Sequence, residues 1–277
     1  MEWTALHVAQ RSPRSRPCCY TFCFVMKRIL VTNDDGVQSD GIHALAAALS
    51  HLGEVTVVAP HLEASAIGHA LTLRRPLRME LIRDGVYEVD GTPTDCVNVA
   101  FTQLYTEPPD LIVSGINKGY NLGDDVTYSG TVAGALEGCL LGVPSLAVSL
   151  ERSRDVHDFD PAASAAASIA EAVLEHGMPV RTFLNINVPA GQPRGMRVTV
   201  QAKRNHITEV SERHDPRGRP YYWIEEGQDA WEPDERSDYQ AVRDGFVSIT
   251  PLQPDLTAHD AMQHAERLRE ISQGARR

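Results

Sequence analysis

The chain has 277 residues, 42% of them hydrophobic, and a formal net charge of -11 at pH 7. That is enough for one large α/β domain or two small ones with a buried core. The acidic balance argues against nonspecific binding to nucleic acid or to an anionic membrane, since both need a basic surface. An anionic small molecule is still compatible with it, if a metal ion and backbone amides neutralise the ligand locally.

Residues 1–25 differ in character from the rest of the chain. Arg11, Arg14 and Arg16 precede a short run, Cys18 to Val25, that is apolar apart from Thr21. A signal peptide needs a longer apolar region and a small-residue cleavage site. Here Lys27 and Arg28 interrupt, and a core strand begins at once. The expectation is an extension outside the fold, with Met26 opening the domain. No run of apolar residues is long enough to span a bilayer. The five cysteines, Cys18, Cys19, Cys23, Cys96 and Cys139, have the spacing of neither a zinc site nor a disulfide framework. Buried reduced thiols in a cytoplasmic protein are expected.

Lys27 to Thr32 reads as a strand. Ser39 to Leu52 reads as a helix, with Ile42, Leu45, Ala46 and Leu49 on one face, Ser39 or Asp40 as cap and Gly53 as stop. Glu54 to Ala59 is a second apolar strand. Thr92-Pro93-Thr94-Asp95 opens a helix, with Thr92 at the N-cap, Pro93 at the first position and Asp95 at the third. Asp110 to Ser114, Pro144 to Leu150 and Thr182 to Val188 read as strands. Gly130 to Leu141 and alanine-rich Pro161 to Glu175 read as helices. Apolar strands alternating with helices imply an α/β fold with a parallel sheet covered on both faces.

The last third changes character. Met196 to Ala202 and Gly245 to Thr250 read as strands, and Leu256 to Ile271 as a closing amphipathic helix. Arg204 to Trp231 is polar, with Asp215-Pro216-Arg217-Gly218 as a turn between two extended arms. Tyr221, Tyr222 and Trp223 cluster on the second arm. Two readings stand side by side: cross-strand packing within a hairpin, or an arm reaching a second subunit. The expected division is a core over 26–200 and an oligomerisation arm, strand and helix over 201–277.

Four segments carry chemistry. The first is Thr32-Asn33-Asp34-Asp35-Gly36, where adjacent carboxylates follow a strand. Ligands bind at the carboxyl ends of strands in an open parallel sheet. Paired carboxylates repel and are costly to desolvate, and a divalent cation with a taste for hard oxygen ligands compensates them. A solvated Asp-Asp-Gly turn is the plain alternative. The second is Ala59 to His69, which offers Ser65 as a neutral oxygen ligand and His61 and His69 as acid–base groups. The third, Ser114 to Gly123, is rich in glycine and asparagine, and the Asn117 carbonyl is a hard ligand. The fourth is Tyr128 to Ala135. Its small and hydroxylated residues at a helix start form an anion site, to which Ser129 and Thr131 add hydroxyls. Simple capping by Ser129 is the alternative. No Walker loop and no Gly-x-Ser-x-Gly elbow is present.

The sequence resembles the SurE family of stationary-phase survival proteins. The resemblance runs from Ile29-Leu30-Val31-Thr32-Asn33-Asp34-Asp35-Gly36 and Gly41, through Ala59-Pro60, Ser65 and Gly68-His69, to Gly91-Thr92-Pro93-Thr94-Asp95-Cys96. It continues in Ser114-Gly115-Ile116-Asn117-Lys118-Gly119, Asn121-Leu122-Gly123 and Tyr128-Ser129-Gly130-Thr131-Val132. Asn185-Ile186-Asn187-Val188-Pro189 and Ser248-Ile249-Thr250-Pro251-Leu252 complete it. It implies a metal-dependent phosphatase acting on nucleoside 5′(3′)-monophosphates, with one divalent ion (Mg²⁺ or Mn²⁺) per subunit. It implies Asp34, Asp35, Ser65 and Asn117 as metal ligands, with Asp34 and Asp35 catalytic. The substrate phosphate is then expected at Asn33, Asn117, Asn121, Ser129, Gly130 and Thr131. A Rossmann-like, three-layer α/β fold, an exchanged C-terminal arm and a homodimer or homotetramer are also implied. Two departures are local: His61 stands where the family often has Asp, and Ser65-Ala66 replaces the usual Ser-Gly. Two other functions compete. One is a haloacid-dehalogenase-like phosphatase with a covalent aspartate, although those space their aspartates as Asp-x-Asp. The other is a nucleotide-binding regulator without turnover.

Overall fold

The computed structural model describes residues 26–152, 158–205, 208–226 and 230–274. The extension expected over residues 1–25, with Cys18, Cys19 and Cys23, lies outside the described residues.

The chain forms β1 (Arg28–Thr32), α1 (Asp40–Leu49), β2 (Glu54–Pro60), β3 (Met79–Arg83), β4 (Val86–Val89), α2 (Pro93–Gln103) and β5 (Leu111–Lys118). These are followed by α3 (Gly130–Leu140), β6 (Ser145–Leu150), α4 (Asp160–His176), β7 (Phe183–Val188) and β8 (Met196–Val198). Then come β9 (Arg204–Asn205), β10 (Thr208–His214), β11 (Pro220–Glu226), β12 (Ala230–Trp231), α5 (Asp238–Arg243), β13 (Val247–Leu252) and α6 (Met262–Gly274).

One sheet of nine strands runs in the order β3-β4-β2-β1-β5-β6-β7-β13-β8. The strands from β4 to β7 in that order are parallel, while β3 and β13 run antiparallel to their neighbours β4 and β7. Side chains alternate between the two faces. Ile29 and Val31 of β1 pack with Ile42, Leu45 and Leu49 of α1 and with the alanines of α4. Leu30 points the other way, onto Val97 and Ala100 of α2. On that second face Val132, Ala135 and Cys139 of α3 meet Ala147 and Phe183. Each large side chain buried in this way contributes roughly 1.5–3 kcal/mol. Both helix layers are thus specified by period-2 apolar strands between amphipathic helices.

The start of α2 is a capping box: Asp95 N–H donates to Thr92 Oγ1 at 3.1 Å, and Thr92 N–H donates to Asp95 Oδ2 at 2.9 Å. Ser39 stands at the N-cap of α1 as expected, but its hydroxyl makes no cap bond. It accepts instead from Asn33 Nδ2 at 2.7 Å.

The chain moves to one side of β1 for β2 and to the other for β5. That reversal opens a crevice at the carboxyl end of β1.

The last third departs from expectation in two respects. β8 ends at Val198, well short of Ala202, and β13 enters the main sheet beside β7. α6 is exposed along its length, with Leu256 ahead of it 94% and Ile271 within it 67% accessible, so among the described residues it does not close the fold. The expected hairpin is present as β10–β11.

Candidate metal and phosphate site

β1 delivers Asn33, Asp34 and Asp35 to the crevice. Asn33 is fully buried, and its Nδ2 donates to Gly36 O at 3.1 Å and to Ser39 Oγ, which closes the turn. Its Oδ1 is buried and accepts no hydrogen bond among the described residues. Asp34 is 5% exposed. Burial pushes its carboxyl from 3.8 up to about 6; the Thr131 hydroxyl opposes the rise, and the charge of Asp35 adds to it.

α3 begins against that carboxylate. Thr131 Oγ1 donates to Asp34 Oδ1, and the Thr131 amide is a second donor to the same carboxyl. A Cβ on Gly130 would lie 2.8 Å from Asp34 Cβ, so only glycine admits the approach. The Thr131 side chain is fully buried and serves Asp34; as folded, its hydroxyl is not offered to a phosphate. Ser129 caps the helix, accepting from Val132 N at 3.1 Å, which leaves its own proton to donate.

The loop after β2 lies beside this turn. Ala64 N–H donates to Asp34 O at 2.8 Å, and Gly68 N–H to Tyr128 O at 2.9 Å. Ser65 is exposed and donates to Glu63 Oε1 at 2.6 Å. His61 and His69 are both exposed, but His69 Nε2 stands 2.6 Å from Glu137 Oε2 on α3. The two histidines singled out as acid–base groups therefore sit in different surroundings.

β5 continues to Lys118, four residues beyond the expected end at Ser114. Its register with β6 shifts between Ser114 and Asn117, and the Gly115–Ile116 peptide is cis. Gly115 has φ +142°, and a Cβ there would lie 2.4 Å from Val148 O. Asn117 is half-buried; its Nδ2 donates to Gly119 O at 2.9 Å, so its remaining side-chain group is the acceptor Oδ1. Asn121 is buried in a polar lattice. Its N–H donates to Asn187 Oδ1 (2.8 Å), its Nδ2 to Ser149 Oγ (2.7 Å), and its carbonyl accepts from Asn185 Nδ2 (2.8 Å). It builds the loop that follows Asn117.

Of the adjacent strands, β1 is followed directly by Asn33, Asp34 and Asp35, β2 by the loop that carries Ser65, and Asn117 lies in the last paired stretch of β5. Every candidate donor is oxygen: two carboxylates, a hydroxyl and an amide carbonyl. No cluster of three or more His, Cys, Asp or Glu suited to a metal forms among the described residues. The donor set fits a hard divalent cation such as Mg²⁺ or Mn²⁺, whose charge would offset the burial of Asp34 beside Asp35. Two contacts were not legible in advance, Thr131 to Asp34 and His69 to Glu137. Neither partner is near the other in sequence.

Fold and site together define an α/β protein with helices on both faces of a mostly parallel sheet and a buried carboxylate, Asp34, at the switch point of that sheet. A family model described as survival protein SurE matches residues 29–208. The chain is 55% identical over 238 residues to the 5′-nucleotidase SurE of Pelobacter propionicus, covering 85% of this chain and 96% of that protein. It is 52% identical over 242 residues to 5′-nucleotidase SurE 1 of Thermus thermophilus, covering 85% and 95%. The crystal structure of SurE protein from Aquifex aeolicus aligns with a TM-score of 0.79 at 44% identity, over 87% of this chain and 99% of that one. The chain belongs to the SurE family.

Proposed function

We propose that this chain hydrolyses nucleoside 5′(3′)-monophosphates to nucleoside and inorganic phosphate. The observation that carries the reading is the start of α3 set against the buried Asp34 carboxyl by Thr131, with Asp35, Ser65 and Asn117 on or after the adjacent strands β1, β2 and β5. The names of the relatives point the same way.

Asp34, Asp35, Ser65 Oγ and Asn117 Oδ1 would hold one divalent cation per subunit. The chemistry supplied there is neutralisation of phosphoryl charge and acidification of a water. Thr131 fixes the orientation of the Asp34 carboxylate. The Gly130 amide and the Ser129 hydroxyl receive phosphate oxygens at the helix start. Asn33 Nδ2 donates its protons to Gly36 O and Ser39 Oγ, so as folded Asn33 shapes the turn rather than donating to a phosphate, and Asn121 holds the loop in shape. Water oxygen bonds to phosphorus, the ester P–O bond breaks, and the nucleoside oxygen leaves with a proton.

Residues 26–200 form the catalytic core in this reading, and 201–277 the assembly segment of a homodimer or homotetramer. Val210, Tyr221, Tyr222, Trp223 and Ile224 are all exposed, and alternation puts them on both faces of the hairpin. Tyr221, Tyr222 and Trp223 stand opposite Arg213, Glu212 and Ser211, so the cross-strand partners of the aromatics are polar. No helix among the described residues is long and apolar enough to cross a membrane. A cytoplasmic setting suits the free, buried thiols of Cys96 and Cys139.

The test is phosphate release from AMP with Mn²⁺, its loss on chelation and its return on adding the ion back. AMP binding without phosphate release would favour a nucleotide-binding regulator. A trapped aspartyl-phosphate would favour the covalent mechanism.

A further inference from the structure

The loop that carries Ser65 is held in a conformation it would not adopt unaided. Ala66, next to Ser65, has φ +54°, a left-handed conformation that costs an L-residue roughly 1 kcal/mol. Such a residue persists only where its surroundings over-determine it. The backbone bonds from Ala64 to Asp34 and from Gly68 to Tyr128 bracket it.

Immediately after Gly68 comes a stronger anchor. His69 Nε2 lies 2.6 Å from Glu137 Oε2, and the other oxygen of Glu137 accepts from Asn98 Nδ2 at 2.7 Å. Asn98 Nδ2 also donates to Thr94 O at 3.0 Å on α2. Glu137 lies seven residues into α3 and is buried, and nothing in the proposed chemistry uses it. Burial alone would raise its carboxyl. The hydrogen bonds from His69 and Asn98 reverse this and hold it below the usual carboxylate range. The chain beyond is pinned as well: Thr92 Oγ1 donates to Ala70 O at 2.8 Å, and Thr72 N–H to Asp95 Oδ1 at 2.9 Å. The loop is thus clamped to α2 and α3 at its far end and to the Asp34 turn at its near end.

We propose that His69 is a positioning residue for Ser65: its bond to Glu137, buttressed by Asn98, holds the strained Ala64–Gly68 segment so that the Ser65 hydroxyl completes the cation site. The proposal rests on the metal site described above. It also assigns a role to the histidine that does not involve proton transfer to substrate.

The experiment is a double-mutant cycle read by calorimetric titration of Mn²⁺ into the chelated full chain. His69→Ala and Ser65→Ala are each expected to weaken Mn²⁺ binding by about tenfold or more, as for removal of an orienting partner. The double variant should bind no more weakly than Ser65→Ala alone, because His69 acts through Ser65. Glu137→Ala should mimic His69→Ala. Glu137→Gln, which can still accept from Asn98 and donate to a neutral His69, should restore near-wild-type affinity. Additive losses in the cycle would overturn the proposal. So would a lowered melting temperature for His69→Ala with unchanged Mn²⁺ affinity, or a Ser65→Ala that binds Mn²⁺ normally. A coupled cycle in a chain that releases no phosphate from AMP would instead overturn the nucleotidase reading and leave the anchor standing.

Discussion

The crevice at the end of β1 and the C-terminal arm break the usual partition of side chains in opposite directions. At the crevice, polar groups are inside: Thr32, Asn33, Asp34, Ser114, Asn121 and Thr131 are all buried. In the arm and α6, apolar groups are outside, Ile224 at 79% and Trp223 at 56% exposure among them. Buried polar groups and exposed large apolar ones are the two informative deviations from the oil-drop rule. In the proposed reading a cation would compensate the first kind and a partner subunit would cover the second. The regions meet at Gly123. Its N–H donates to Asp238 Oδ2 at 3.0 Å and its carbonyl accepts from Gln201 Nε2 at 3.0 Å, while Asp238 Oδ1 also accepts from Ala202 N–H at 3.0 Å. Trp231 at the base of the arm stacks on Tyr239 with ring centroids 4.5 Å apart.

The largest effect is expected from removing charge at the crevice. Asp34→Asn or Asp35→Asn should lower phosphate release from AMP more than ~100-fold, beyond the loss typical of an outer-sphere partner, while circular dichroism stays native. Near-normal turnover at low Mn²⁺ in both variants would sink the site. The Asp34 change has a second signature without metal. Its carboxyl titrates near 6 when folded against 3.8 ordinarily, so the folded state binds the proton more tightly. The stability from this group is full below the ordinary value and is lost as pH rises from about 4 through about 6. Chelated wild type should therefore lose roughly 2–3 kcal/mol more than Asp34→Asn over that window, measured by denaturant unfolding at pH 4 and pH 8. Equal pH dependence in the two proteins would refute the burial argument.

At the arm the expectation is reversed: assembly fails and chemistry survives. Deleting Ser211 to Tyr222 should lower the mass seen by light scattering, since each aromatic buried against a neighbour contributes roughly 1–3 kcal/mol. Phosphate release should largely persist, because the site loops come from β1, β2 and β5. A monomer mass for the intact chain would rule out the arm as an assembly device. The smallest effect tests the strain beside Ser65. Ala66→Gly should stabilise the protein by up to ~1 kcal/mol, seen as a small rise in melting temperature. A fall would show that the left-handed alanine is not strained.

Much of the fold could be read from local pattern. The strand at Leu111 and the helix at Thr92 follow from apolar periodicity and a capping box, both short-range signals. The β3–β4 hairpin is not among the expected elements, although Asp84-Gly85 between two strand-like runs is a hairpin signal. The hexapeptide of α5, capped by Ser237 accepting from Gln240 N–H, is too short for periodicity to show. β5 runs past its expected end because Gly115 and Asn117, poor strand formers singly, are held by β6 on one side.

Local sequence was sufficient for the alternation of strands and helices, for the motifs at the strand ends and for the kind of atom each would offer a ligand. These depend on residues a few positions apart. Long-range packing alone settled that Thr131 serves Asp34, ninety-seven residues away, that Glu137 anchors His69 across sixty-eight, and that β13 joins the main sheet while α6 stays exposed among the described residues. A hydroxyl or carboxylate has the same local signature whether it faces a substrate or another side chain. Which one it meets is fixed by the packing of helices on a sheet, and that depends on the whole chain at once.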